Sequence, residues 1–408
     1  MAESIKLIPK AGPLFGTVTL PTSKSICNRL LVLSKLAGQD FPEDQLSSAD
    51  DSRLLFDALN FNEPTINVGN AGTAYRFLTA FFAIQDGRET LLSGSEAMLE
   101  RPIGALVDAL QSIGADIRYE GKEGFPPLRI KGKKLDGGVV QIATEVSSQF
   151  LSALMLIGST LEKGLTIELY GVPVSSSYIE LTRALIANCG VEIIQTEIQI
   201  CISKSSLRFQ PSLIERDWSS ASYLYGMAAL RPNSEILLKG LKLDSIQGDC
   251  RISKIMELLG VESEQTHSGV LIRSIELPES AKFKYHLSSE PDLVQTLACV
   301  HASRGDKVFY SGIDHLRYKE TDRLAALQTE LQKFNVRFEE GKGGWEQTGK
   351  AAWNGEVIST YKDHRMAMAF SILSMKTPSL VIDDPAVVSK SFPKFWGETQ
   401  KLGVTSEP

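Results

Sequence analysis

The residues of this 408-residue chain that could do chemistry sit in short polar loops. Lys24 and Ser25 precede an apolar stretch, with Arg29 one helical turn further along the same face. Ser25 reads as the N-cap of that helix, and a phosphate or carboxylate bound there would meet unpaired N–H groups and two cations. Val68-Gly69-Asn70-Ala71-Gly72-Thr73-Ala74 is a turn into a second apolar stretch, and its glycines allow close backbone approach by a ligand. Lys319-Glu320-Thr321-Asp322-Arg323 gathers charge at i,i+3 and i,i+4 where a helix starts, and Lys362-Asp363-His364-Arg365 opens another. Cations are unfavourable at a helix N-terminus unless an anion is bound. Arg101 also directly precedes a helix, and Lys390 lies just before a helix start expected at Pro393. Each motif alone has a plain structural account: an N-cap, a solvated basic face, or a packed histidine.

Six such loops position these groups: Thr22–Ser25, Asn70–Thr73, Ser147–Gln149, Asp217–Ser220, Glu290–Asp292 and Lys362–Arg365. Each runs into a small-residue, apolar stretch, and such stretches are predicted to be helices buried within their domains. The last four recur about every 72 residues. A second set of helices alternates with them, over Arg101–Ile113, Tyr178–Asn188, Cys250–Leu259 and Thr321–Phe334, with apolar residues at i, i+3, i+4 and i+7. Gly114, Gly190, Gly260, Asn335 and Gly403 read as C-caps, most of them followed by short strands. Each unit therefore reads as strand, buried helix, strand, amphipathic helix and more strand. That is longer than a solenoid repeat, and six units fit two domains of three, with a break near Gln210-Pro211-Ser212. The Asp217–Ser220 loop offers no clear ligand and reads as a hinge.

The bulk composition narrows the partners. A net charge of −6 excludes a broad surface for nucleic acid or anionic membrane, so cationic function must be local. The five cysteines include no CxxC pair and the five histidines no HExxH, which argues against disulfide frameworks and zinc sites. The segment Met1-Ala-Glu-Ser-Ile-Lys carries no signal-peptide core, and no apolar run reaches a membrane span, so a cytoplasmic protein is expected. Gly344–Lys350 nearly spells a P-loop, but Ala351 stands where Mg²⁺ needs Ser or Thr, and the stretch reads as a surface loop.

Taken together, LPTSKSICNR, GNAGTAYR, ERPIGALVDAL, SSQFLSAL, RDWSSASY, YKETDRL, DHRMAMAF and KSFP resemble the 5-enolpyruvylshikimate-3-phosphate synthase family across essentially the whole chain. The resemblance implies a two-domain α/β fold, each domain a threefold βαβαββ repeat in an inside-out barrel. One domain would comprise residues 1–20 and 216–408, the other 21–215, with the active site in the cleft between them. The implied reaction transfers the enolpyruvyl group of phosphoenolpyruvate to the 5-hydroxyl of shikimate 3-phosphate, releasing phosphate, without metal or organic cofactor. A monomer acting on these two small molecules is expected. The implied shikimate-phosphate contacts are Lys24, Ser25, Arg29, Ser147, Ser148, Gln149, Ser175, Asp292 and Lys319. The implied phosphoenolpyruvate contacts are Gly72, Arg101, Gln149, Arg323, Arg365 and Lys390, with Lys24 between the substrates. Asp292 resembles the base that takes the 5-hydroxyl proton, and Glu320 the acid that protonates the methylene carbon.

The residue types suit that chemistry. Both substrates are polyanions, and arginine forks fit phosphate and carboxylate. Two separated carboxylates plus a lysine can move the protons of an addition–elimination. Glu320 presents a tension, because flanking cations favour its ionised form. Three residues depart from the family pattern: His315 replaces an Asn, Phe77 a common Pro, and Thr22 a common Gly. The related UDP-N-acetylglucosamine enolpyruvyl transferases carry Asn after the lysine and a loop cysteine; here Ser25 follows Lys24 and no cysteine lies between Cys27 and Cys189. RNA 3′-phosphate cyclases share related repeats but would need a more basic surface.

Overall fold

The structure is a computed structural model that describes residues 4–143, 147–171, 174–211, 214–277 and 279–407. Ser212, at the expected break between repeats, lies outside the described residues. The chain forms two compact units, residues 22–214 and residues 1–21 with 215–408.

In the 22–214 unit one sheet pattern occurs twice. Thr65–Asn67 pairs parallel to Glu89–Ser93, which is antiparallel to Leu128–Lys131, itself antiparallel to Asp116–Tyr119. Helix Gly72–Ala83 connects the two parallel strands, and helix Gly104–Ser112 leads on to the antiparallel pair. Gly138–Ala143, Leu165–Tyr170, Gln199–Ile202 and Ile193–Gln195 repeat that order, with helices Ser148–Gly158 and Ser176–Asn188. Over residues 22–60 the same unit has helices Lys24–Leu36 and Asp50–Asn60 but no strands of a sheet among the described residues. Two of its three repeats are thus complete, and the first is a helical pair.

The other unit carries three sheets among the described residues. Phe15–Thr19 is parallel to Glu235–Lys239, followed antiparallel by Gly269–Ser274 and Val261–Gln265. Lys282–His286, Lys307–Ser311, Gly344–Thr348 and Arg337–Gly341 follow the same order. In the third sheet the first strand shrinks to the single parallel bridge Ile358–Ile382, and Ser4–Pro9 from the start of the chain lies between Leu380–Asp383 and Val404–Glu407. The near-P-loop stretch proves to be the strand Gly344–Thr348, not a surface loop. Trp345 and Gln347 point inward while Glu346 points out, the alternation of a half-buried strand.

The apolar stretches are buried helices, as their composition requires. Every residue of Trp218–Ala229 and of His364–Ser371 is buried, and so are nearly all of Gly72–Ala83, Ser148–Gly158 and Val294–Arg304. The expected C-caps Gly114, Gly190, Gly260, Asn335 and Gly403 all take left-handed φ, which ends each helix and turns the chain into the next segment. Among the described residues no helix is long and apolar enough to cross a membrane.

Candidate active site

In the 22–214 unit the helix begins at Lys24, with Ser23 as N-cap, so Ser25 lies inside the first turn and is not the cap. Ser23 lies two residues before the expected cap and makes no side-chain cap bond. Lys24 Nζ donates to Asp51 Oδ2 at 2.9 Å, from the first turn of Asp50–Asn60. Arg29 is buried, and all its acceptors are neutral. Nε donates to Thr182 Oγ1 at 2.7 Å, Nη1 to the Ser25 carbonyl at 2.8 Å, and Nη2 to Ser152 Oγ at 3.0 Å and the Tyr178 carbonyl at 3.2 Å. The rings of Phe77 and Tyr178 lie 5.4 and 5.9 Å from its Cζ. Burial pushes the Arg29 pKa down to about 10, with Tyr178 opposing. Phe77, the departure from Pro, therefore sits in a continuous helix and covers this guanidinium.

Ser152 belongs to the helix whose N-terminus carries the other predicted residues. Ser147 caps it by accepting the Gln149 N–H at 3.2 Å, Ser148 is buried in its first turn, and Gln149 Nε2 reaches Thr73 Oγ1 at 3.2 Å. Ser175 is a buried, left-handed N-cap of Ser176–Asn188, the helix that brings Tyr178 and Thr182 to Arg29. Gly72 is the first residue of its helix, and the Arg101 guanidinium lies flat against it. A Cβ there would meet Nη1 at 2.6 Å and Nη2 at 2.8 Å. Arg101 Nη1 is buried with no hydrogen-bond partner. Arg101 itself precedes helix Gly104–Ser112 instead of starting one.

In the 1–21 and 215–408 unit, Lys319 and Glu320 do not share a helical face with Arg323. The Asp322 side chain accepts the N–H groups of Leu324 and Ala325, so the helix starts only at Arg323. Arg323 is a buried hub. Nε donates to Asp363 Oδ2 at 2.8 Å, Nη1 to Asp292 Oδ1 at 2.9 Å, and Nη2 to Glu320 Oε2 at 2.8 Å. Burial alone would lower its pKa, but Asp363, Glu320 and Asp292 outweigh that and hold it above the ordinary arginine range. Asp292 Oδ2 also accepts from Arg365 Nη2 at 2.6 Å, and Glu320 Oε1 lies 3.2 Å from Lys390 Nζ. Each predicted catalytic carboxylate is thus bracketed by two cations.

Asp363 both caps His364–Ser371, accepting the Arg365 N–H, and pairs with Arg323. Left-handed backbone at Tyr361 and Lys362 turns the chain into this cap. Arg365 also donates to the Tyr223 hydroxyl at 3.1 Å and lies 3.5 Å from Ser219 Oγ. Ser219 donates to Asp249 in a very short hydrogen bond. The Asp217–Ser220 loop therefore does feed the site, through the residue after the tryptophan. Burial, followed by the Asp292 charge, raises the Asp249 carboxyl to about 7, against the pull of Arg365 and Ser219. His315 is driven down to about 3 by burial and the Lys319 charge, so it is neutral at ordinary pH. Burial also raises the Tyr223 phenol to about 12.

Sequence reading missed Asp51, Ser152, Thr182, Ser219, Tyr223 and Asp249. Only the helix-start position of Asp51 offered a signal, and it pointed to the dipole and not to Lys24. Among the described residues no group of three or more His, Cys, Asp or Glu side chains is placed to hold a metal ion.

Two α/β units built from a repeated sheet pattern, with buried cations at helix starts and carboxylates held between cations, define a protein class that handles small polyanions. The family described as EPSP synthase (3-phosphoshikimate 1-carboxyvinyltransferase) matches residues 52–399. A 3-phosphoshikimate 1-carboxyvinyltransferase from Bacteroides fragilis is 39% identical, over 95% of both chains. The Shewanella loihica protein of the same name is 37% identical, over 95% of this chain and 96% of that one. A solved EPSP synthase from Acinetobacter baumannii shares the fold, with a TM-score of 0.78 at 19% identity over 99% of both chains. The chain belongs to the EPSP synthase family.

Proposed function

We propose that this protein transfers the enolpyruvyl group of phosphoenolpyruvate to the 5-hydroxyl of shikimate 3-phosphate and releases phosphate, a step of the shikimate pathway toward chorismate and the aromatic amino acids. The observation that carries the reading is the arrangement around Arg323. Asp292 lies between Arg323 and Arg365, and Glu320 between Arg323 and Lys390. Family membership supports the substrates. The reading includes a cytoplasmic monomer that needs neither nucleic acid nor membrane.

In this reading Arg29, Ser25, Ser147, Ser148, Gln149, Ser175 and Lys319 hold shikimate 3-phosphate. Lys24, Gly72, Arg101, Gln149, Arg323, Arg365 and Lys390 hold phosphoenolpyruvate. Asp292, paired with two guanidinium groups, accepts the 5-hydroxyl proton as that oxygen bonds to C2 of phosphoenolpyruvate. Glu320 delivers a proton to the methylene carbon, which becomes methyl. Loss of a methyl proton and cleavage of the C–O bond to phosphate then restore the enol ether. The tension at Glu320 is resolved by the substrate. While the site is free of ligand, Lys390 and Arg323 pair with Glu320; the phosphate and carboxylate of phosphoenolpyruvate neutralise those cations, and a carboxyl relieved of neighbouring positive charge gains affinity for a proton.

Phosphate release by purified protein tests the reading. Release is expected only with both substrates present; release with UDP-N-acetylglucosamine in place of shikimate 3-phosphate would overturn it. Asp292→Ala and Glu320→Gln should each lower kcat strongly while both substrates still bind, and wild-type turnover in either would remove that residue from the mechanism. Glyphosate is an expected inhibitor, competing with phosphoenolpyruvate.

A further inference from the structure

The turn Gly248–Arg251 carries a buried carboxyl that the reaction as written does not use. Asp249 is 4% exposed. Its Oδ2 accepts the Ser219 hydroxyl, and its Oδ1 is buried with no hydrogen-bond partner. Ser219 gives its backbone N–H to the Asp217 side chain, and its Oγ lies 3.5 Å from Arg365 Nη2. That same nitrogen donates to Asp292 Oδ2 at 2.6 Å. A continuous chain of contacts therefore runs from Asp249 through Ser219 and Arg365 to Asp292, entirely within one unit.

The chemistry of a hydroxyl gives this chain a direction. Serine has one proton to donate and lone pairs to accept with, whereas arginine only donates. With Asp249 ionised, the Ser219 proton points to Asp249, and a lone pair is left facing Arg365. Arg365 is then drawn toward a second negative group, on top of Asp292. With Asp249 protonated, the negative charge behind Ser219 is gone; a Ser219 lone pair still faces Arg365, but the second attraction on Arg365 weakens to that of a neutral hydroxyl. The guanidinium then settles more fully on Asp292, the proposed base.

We propose that Asp249 is a positioning residue which, through Ser219, sets how Arg365 is shared between Asp292 and phosphoenolpyruvate. This rests on the enolpyruvyl-transfer reading of the site. The charged and titratable groups facing Asp249 are Asp292, Arg365 and Asp217 from the packed elements, with the Cys250 thiol on its own turn. Its carboxyl is raised by burial first and by Asp292 second, which moves its titration out of the acid range toward working pH.

The test compares wild type, Asp249→Asn and Ser219→Ala by kcat/KM for phosphoenolpyruvate across pH 5 to 9, with KM for each substrate. Asp249→Asn should raise KM for phosphoenolpyruvate about tenfold, leave KM for shikimate 3-phosphate within about twofold, and remove an inflection from the acid limb; one charge-assisted contact justifies that size. Ser219→Ala should flatten the same limb although Asp249 is intact, which a merely structural carboxyl would not do. A wild-type profile and wild-type KM in both variants would overturn the proposal. Should Asp249→Asn fail to fold, Ser219→Ala alone decides the matter. If wild type itself releases no phosphate from the two substrates, the functional reading fails. Infrared difference spectra of the carboxyl stretch over the same pH range then decide independently: a titrating band absent from Asp249→Asn and displaced in Ser219→Ala supports the coupling, and its absence from wild type overturns it.

Discussion

The two units treat their candidate-site arginines in opposite ways. In the 22–214 unit, Arg29 is surrounded by hydroxyls, carbonyls and ring faces, and Arg101 lies against a glycine, so positive charge is left for a ligand to neutralise. In the other unit, Arg323 and Arg365 are met by Asp292, Glu320 and Asp363. A fixed positive charge suits the grip on an anion that does not react. Cations already shared with carboxylates suit a place where protons must move, because arrival of an anion changes the proton affinity of those carboxylates.

The largest test of this contrast is Arg323→Met. It strips three carboxylates of a shared partner and leaves Asp363 buried, so stability should fall by about 3–5 kcal/mol. kcat should fall roughly a hundredfold to a thousandfold. Urea melts and steady-state rates check both, and adding Asp363→Asn should recover stability but not turnover. Equal loss from Arg29→Met would erase the contrast, since no carboxylate is orphaned there. Next is Gly72→Ala, whose methyl would displace the Arg101 guanidinium. KM for phosphoenolpyruvate should rise about tenfold with little change in melting temperature. An unchanged KM would show that Arg101 can step aside without cost.

Thr182→Val removes the acceptor for Arg29 Nε while keeping side-chain shape. It should cost about 1–2 kcal/mol of stability and raise KM for shikimate 3-phosphate a few-fold, with kcat nearly unchanged. The smallest effect concerns His315. Its folded pKa lies near 3, below the free value of 6.5, so between those values the unfolded chain binds a proton that the folded chain does not. Stability therefore falls as pH drops through that window, by at most about 1.4 kcal/mol per pH unit from this residue. His315→Asn should flatten that part of the melting temperature against pH, and an unaltered slope would mean that other groups carry the acid sensitivity.

How far the sequence went depended on whether a signal was local. The glycine and Asn335 C-caps, the burial of the apolar helices and the repeat pattern were all legible, because backbone conformation and periodicity leave marks within a few residues. The Arg323–Glu320 pair was visible at i,i+3, although the helical face invoked for it was wrong. Asp249, Thr182 and Asp51 gave no sign of their partners, since each acts across a long sequence separation that only the packed fold closes. The six loops looked equivalent until the fold showed which neighbours each one meets. Ser219 was masked because the loop's aspartate looks like a cap, and it is one.

The strand Ser4–Pro9 has a further consequence for how the protein is made. It is the middle strand of its sheet, flanked on both sides by segments near the far end of the chain. During synthesis this strand leaves the ribosome long before either neighbour and then waits, unpaired, for both. Among the described residues the 22–214 unit contains all of its own strand partners and can close while translation continues. The nascent chain therefore has an order of assembly written into it: the inserted unit first, and the half carrying Asp292 and Glu320 only once Val404–Glu407 has emerged.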